Sequence, residues 1–197
     1  EFALKSDELD GILTEACRLV GEALDTDLAK VVELQADGQT LLVRAGVGWK
    51  PGVVGTAMAS LSDSLSESYA LKMGEPMISP DIEHETRFTY PAFLIEHGVK
   101  AVANVVILGG KDQPPFGILQ IDSRTPRDFT DSDTNFLRGY ANIIAAAVAR
   151  LQSLEEIRNE EKRFRTLAEG IPQLVFRARG AGDWTRGSPQ WLAYAGL

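Results

Sequence analysis

The chain has 197 residues, 44% of them hydrophobic, and a net charge of -8. That is apolar material for one domain of roughly 150 residues and a remainder, and the acidic balance disfavours a nucleic-acid surface, because a polyanionic ligand is repelled. Cys17 is the only cysteine, which excludes an internal disulfide framework and a cysteine-built metal site and fits a reducing, cytoplasmic compartment.

No methionine precedes Glu1 and Phe2, so the chain is expected to be a piece of a longer protein. Leu9, Ile12, Leu13, Ala16, Leu19, Val20, Ala23 and Leu24 recur at helical spacing behind Ser6, Asp7 and Glu8, which predicts an amphipathic first helix. Residues 27–34 and 40–47 read as strands joined around Asp37-Gly38, a pair suited to the positive φ angles of a tight hairpin. In the second strand Leu41, Val43, Ala45 and Val47 alternate with Thr40, Leu42 and Arg44, so the first set is expected on one core-facing side.

Gly46, Gly48, Gly52 and Gly55, with Pro51 among them, break regular structure. Residues 64–73 then read as a short helix stopped by Gly74, and Met77-Ile78 as a short strand. A polar loop from Ser79 to Pro91 leads into one or two helical turns at 92–95, ended by His97-Gly98. Residues 101–108 and 116–122 are strands, and the Gly109-Gly110-Lys111-Asp112 connection predicts that they pair antiparallel. Thr130 and Asp133 have the spacing of a capping box, with aspartate in place of glutamate, and open a long helix carrying Phe136, Leu137, Tyr140, Ile144, Ala147, Val148, Leu151 and Leu154. The longest strongly apolar run, 143–151, falls well short of the roughly 20 residues that span a bilayer, so no membrane insertion is expected. Residues 155–165 are charged apart from Ile157 and Phe164 and read as a solvated or partner-facing linker, ended by Gly170 and Pro172.

This order of elements, together with Pro115-Phe116-Gly117-Ile118-Leu119-Gln120-Ile121-Asp122-Ser123, then Arg127-Asp128-Phe129-Thr130-Asp131-Ser132-Asp133 and Phe136-Leu137, resembles the GAF domains of bacterial sensor proteins of the histidine-kinase kind. The resemblance covers approximately Leu9 to Leu151. It implies an α+β fold: a central antiparallel sheet with helices packed on one face, ligand-covering loops on the other, and a long C-terminal signalling helix. Arg163 to Pro172 resembles the entry to a PAS domain, with 174–179 and 184–186 as its first strands and 188–194 as its first short helix. A PAS domain needs about 100 residues to close a core, so only its truncated start is expected. The organisation implied is a GAF-like domain over 1–152, a helical linker over 153–169 and a PAS-like fragment over 170–197.

Chemistry-bearing patterns are sparse. His84 and His97 flank the aromatic residues Phe88, Tyr90 and Phe93, but thirteen residues of loop between two histidines is not a ligand signature, and no metal site is read from them. Asp63, Asp81, Glu83 and Glu85 are not spaced to act as an acid–base pair. The segment from Gly46 to Gly52 lacks the serine or threonine after lysine that a phosphate loop requires. Among GAF relatives, covalent bilin attachment implies a cysteine near the pocket, whereas Cys17 falls in the core pattern of the first helix. The Asn-Lys-Phe-Asp-Glu motif of cyclic-nucleotide-binding relatives and the pocket cysteines of methionine-sulfoxide-reducing relatives do not occur.

What remains is a small-molecule pocket between the sheet and its covering loops, lined by Trp49, Phe88, Phe93 and Ile95, with Asp81, His97 and Asn104 as polar anchors; the competing reading is that these residues fill a closed core. No cofactor is identified, and an unknown small-molecule ligand is the expectation. A homodimer seam is expected at Ile144, Ala147, Leu151 and Leu154, which step by three and four residues. By resemblance the fragment is a non-enzymatic input module, relaying ligand binding or dimer geometry through its closing helix to a PAS domain and an output, a histidine kinase by preference. The alternatives are a diguanylate cyclase or phosphodiesterase output, or a ligand-free dimerisation scaffold.

Overall fold

The computed structural model describes residues 2–62, 64–110, 113–170, 176–178, 180, 184–187, 192 and 194, in a chain that divides into units 1–151 and 152–197. In the first unit, α1 (Phe2–Ala23) leads into β1 (Leu28–Leu34) and β2 (Thr40–Val47). The hairpin between these strands turns at Gly38, whose φ of 66° is the left-handed value glycine adopts without strain. Asp37 Oδ1 accepts the N–H groups of Gln39 and Thr40 at 2.8 Å each, which fixes the turn. Then follow β3 (Met58–Ser60), α2 (Ser66–Met73), β4 (Met77–Ser79), α3 (Ala92–Glu96), β5 (Ala101–Ile107), β6 (Gly117–Ser123) and α4 (Asp131–Gly170). The anticipated capping box forms: Thr130 N–H donates to Asp133 Oδ2 at 2.8 Å, and Asp133 N–H to Thr130 Oγ1 at 3.2 Å.

Six strands make one antiparallel sheet in the order β3-β2-β1-β6-β5-β4. Early β1 and late β6 are therefore central neighbours. Gly117 permits this, since a Cβ there would collide with the Val32 carbonyl. The edge strand β3 was not anticipated, because Met58-Ala59-Ser60 is too short and too exposed to carry a periodic signal.

One alternation is corrected. Val31 pairs with Ala45 while Val32 pairs with Val43, so Arg44 is the extra residue of a β-bulge. The bulge flips the side-chain phase: Leu41 and Val43 join one apolar cluster, whereas Ala45 and Val47 join the other. Arg44 bonds Asp10 of α1 at 2.6 Å and Glu33 at 3.1 Å, so the first half of β2 and the second half serve opposite faces.

Both faces of the sheet are covered. Leu13, Cys17 and Val20 of α1 and Leu137, Ala141, Ile144 and Val148 of α4 pack on one face with Ala29, Val31, Leu119 and Ile121. Against the other lie α2, α3 and their loops, closing over Leu28, Val32, Val102 and Ile118. Each fully buried aliphatic side chain of this kind stabilises by about 1.5–3 kcal/mol. In the second unit, β7 (Phe176–Ala178) and β8 (Trp184–Gly187) form an antiparallel pair. The helix expected over 188–194 lies outside the described residues except for Leu192 and Tyr194, as do Lys111 and Asp112 of the β5–β6 connection and Pro172.

Candidate functional site

The sheet face opposite α1 and α4 carries a polar floor that sequence reading found only at Asn104. Register places Lys30 of β1 opposite Gln120 of β6, and Gln120 opposite Asn104 of β5, with Asp122 one pleat further along β6. All four side chains are completely buried. Lys30 Nζ lies 3.1 Å from Asp122 Oδ2, and Gln120 Nε2 donates to Asp122 Oδ1 at 2.6 Å. Burial pushes the Asp122 carboxyl above its ordinary range, while Lys30 and the Gln120 amide pull it back. Neither amide atom of Asn104 has a hydrogen-bond partner, and nor does Gln120 Oε1.

The roof is α2, which packs on β4, β5 and β6. Ser66, Glu67 and Ser68 in its first turn are buried. Ser66 Oγ donates to Glu67 Oε2 at 2.8 Å, and Ser68 Oγ has no partner. The buried Tyr90 hydroxyl makes no well-formed hydrogen bond; burial pushes its pKa up to about 12, and Ser79 lies close enough to oppose the shift. Beside α2 a cleft of about 250 Å³ is lined by Leu34, Leu61, Ser68, Leu71, Lys72 and Pro115.

Trp49, Phe93 and His97 do come together, and Trp49 and Phe93 lie against Lys30. The Lys30 ammonium sits 4.8 Å from the Trp49 ring centroid and 5.7 Å from that of Phe93. Trp49 is seated by its Nε1–H bond to the Ala29 carbonyl at 2.9 Å, and its ring occupies the space that a Cβ at Gly46 would need. His97 packs edge-on to Trp49 at 5.1 Å; its Nδ1–H donates to the Phe93 carbonyl at 2.6 Å and its Nε2 accepts the Lys50 N–H at 3.1 Å. Both ring nitrogens are thus spent on backbone, tying the 46–52 loop to α3.

The remaining expected site residues are elsewhere. Ile95 is 65% exposed, because on the five-residue α3 the neighbouring Leu94 takes the inward position. Phe88 packs on Tyr69 of α2 at 5.5 Å. Asp81 Oδ2 holds His84 Nδ1 at 2.8 Å on the exposed loop, and this bond lowers the Asp81 carboxyl and raises the His84 imidazole. Arg87, donating to Glu85, is the first cause that holds the Glu85 carboxyl down at about 2. On α4, Ile144 is completely buried against the sheet, so it is a core residue and not part of a dimer seam. Ala147 and Leu151 are half-buried, and Leu154 is exposed. Lys30, Glu67, Gln120 and Asp122 were missed; the available signal was on β6, where Gln120 and Asp122 alternate with apolar residues, and nothing comparable marks Lys30 on β1 or Glu67 on α2.

Among the described residues no helix is long and apolar enough to cross a membrane, and no cluster of His, Cys, Asp or Glu could hold a metal ion. The GAF domain profile matches residues 8–148. The GAF domain of a phosphoenolpyruvate-protein phosphotransferase from Coxiella burnetii is similar in structure, with a TM-score of 0.66 and 18% identity over 75% of this chain and 86% of its own. So is the PixJ GAF domain from Thermosynechococcus elongatus in its blue-light absorbing form, with a TM-score of 0.64 and 19% identity over 79% of this chain and 94% of its own. A domain of a candidate two-component sensor histidine kinase from Sinorhizobium meliloti 1021 has a TM-score of 0.58 and 15% identity over 73% of this chain and 93% of its own. No curated protein sequence matches the chain.

Proposed function

The chain belongs to the GAF domain family, and from that premise we propose that it is the input module of a bacterial signalling protein that reads a small molecule on the sheet face beneath α2. The observation that carries this reading is the completely buried polar floor, where Asn104 and Gln120 keep hydrogen-bonding atoms without partners. Each such atom costs about 1–3 kcal/mol. A sheet built only to fill a core has no use for them.

In this reading residues 1–152 sense, 153–169 transmit as helix, and 170–197 begin a PAS-like domain that leads to an output, a histidine kinase by preference, in the cytoplasm. In this reading residues 1–197 themselves perform no catalysis. Transmission uses α4 in a homodimer, for which the exposed Ile143, Leu154 and Ile157 speak. The same residues favour the second reading, a dimerisation scaffold without ligand.

Mass spectrometry of gently released protein distinguishes the two. A small molecule that co-purifies with the native chain and is absent from a folded Asn104→Leu variant supports sensing. A native chain that carries none, and whose stability no metabolite mixture changes, leaves the scaffold.

A further inference from the structure

We propose that the site beneath α2 takes a small uncharged ligand presenting an amide-type edge, an N–H donor beside a C=O acceptor, docked on the Asn104 carboxamide with Gln120 Oε1 as a second acceptor. The inference rests on the sensory reading above and specifies its ligand. The argument is one of satisfiability. Asn104 offers both a donor, Nδ2, and an acceptor, Oδ1, each buried and unpartnered. Gln120 stands directly opposite on β6, and its Nε2 is committed to Asp122, so only its acceptor Oε1 is left.

An anion brings acceptors only and leaves Asn104 Oδ1 and Gln120 Oε1 unsatisfied. It would also face Asp122 and Glu67, while the one cation of the floor, Lys30, is already paired with Asp122 and covered by Trp49 and Phe93. An ammonium brings donors only and leaves Asn104 Nδ2 unsatisfied. A ligand edge with donor and acceptor side by side meets both halves of the Asn104 fork, and a further N–H reaches Gln120. Lactams, carboxamides and nucleobase edges are of this kind. Ser68 Oγ on α2 is a further buried hydroxyl without a partner; the cleft beside α2 is lined by neither Asn104 nor Gln120, so it is no part of the proposed docking point.

The test is an NMR titration of the whole chain with matched probes: 2-pyrrolidone and uracil for the amide edge, isobutyrate for the anion, and cyclopentylamine for the cation. The expected result is that an amide probe shifts the Asn104 side-chain NH2 resonances and that its affinity falls by about tenfold or more in Asn104→Leu. Should that variant not fold, the same loss is read in Gln120→Met, which removes the neighbouring acceptor. Isobutyrate or cyclopentylamine binding in place of the amides, with the same dependence on Asn104, overturns the ligand class and leaves the sensory reading standing. No binding by any probe, with the Asn104 amide protons in contact with long-lived water, overturns both, because the floor is then hydrated interior.

Discussion

Glu85 shows how the covering loop is held to the sheet. Arg87 grips its carboxylate with both ends of the guanidinium fork, at 2.9 and 2.6 Å, and donates to the Ile78 carbonyl at 3.0 Å. The folded-state carboxyl titrates at about 2 against an ordinary 4.5. A depressed carboxyl stabilises the fold above its unfolded value and loses that contribution as pH falls through the folded one. Glu85→Gln should therefore cost about 1–2 kcal/mol at pH 7, reduced from the full linkage value because Arg87 is half in solvent, and the difference from the native chain should vanish between pH 4.5 and 2 in urea titrations. The Lys30–Asp122 pair lies at the other extreme, with no exposure on either side chain. Lys30→Met strands a buried carboxylate and should cost about 3–5 kcal/mol, most of it recovered by adding Asp122→Leu. Calorimetry of the single and double variants checks this. These groups were illegible in the sequence because a lysine in Leu28-Ala29-Lys30-Val31-Val32 reads as a solvent-facing position, and only the cover on both faces of the sheet makes it interior.

Elements were more legible than residues, since each strand and helix announces itself over several positions. The hairpin at Gly38, the capping box at Thr130 and the β5–β6 pairing were readable from local chemistry. The bulge at Arg44 was not, because one inserted residue shifts phase without changing composition. On α4 an error of one position matters. Leu137, Ala141, Ile144 and Val148 form the stripe that faces the sheet, and Ile143 is 63% exposed beside it. Ile144→Ala should cost about 2–5 kcal/mol by leaving a cavity, whereas Ile143→Ala should stay within about 0.5 kcal/mol. Chemical denaturation of the two variants reads the difference; equal losses would mean that α4 is rotated from the arrangement described.

At the scale of the molecule, the proposed relay would leave the domain along the exposed side of α4. Ile143, Ala147, Leu154 and Ile157 fall on steps of four and three residues once Arg150 is counted between them, the repeat of a two-stranded coiled coil. Within the first unit Ile143 and Ala147 lie outside the core stripe, so this part of α4 can pack on its own sheet and still offer a surface to a second α4. Arg150 in the middle weakens the seam, which suits the proposed relay, in which α4 would shift between two packings when a ligand binds. The native chain should sediment as a dimer at micromolar concentration. Ile143→Glu combined with Leu154→Glu should yield a monomer with an unchanged circular dichroism spectrum, because neither side chain belongs to the core of the domain. A native chain that sediments as a monomer removes the coiled-coil relay, and a double variant that remains dimeric moves the contact to another surface. If the double variant keeps its affinity for the amide probe while losing the dimer, sensing and assembly are separable, and the coupling between them resides in the stretch of α4 that joins the core stripe to the seam.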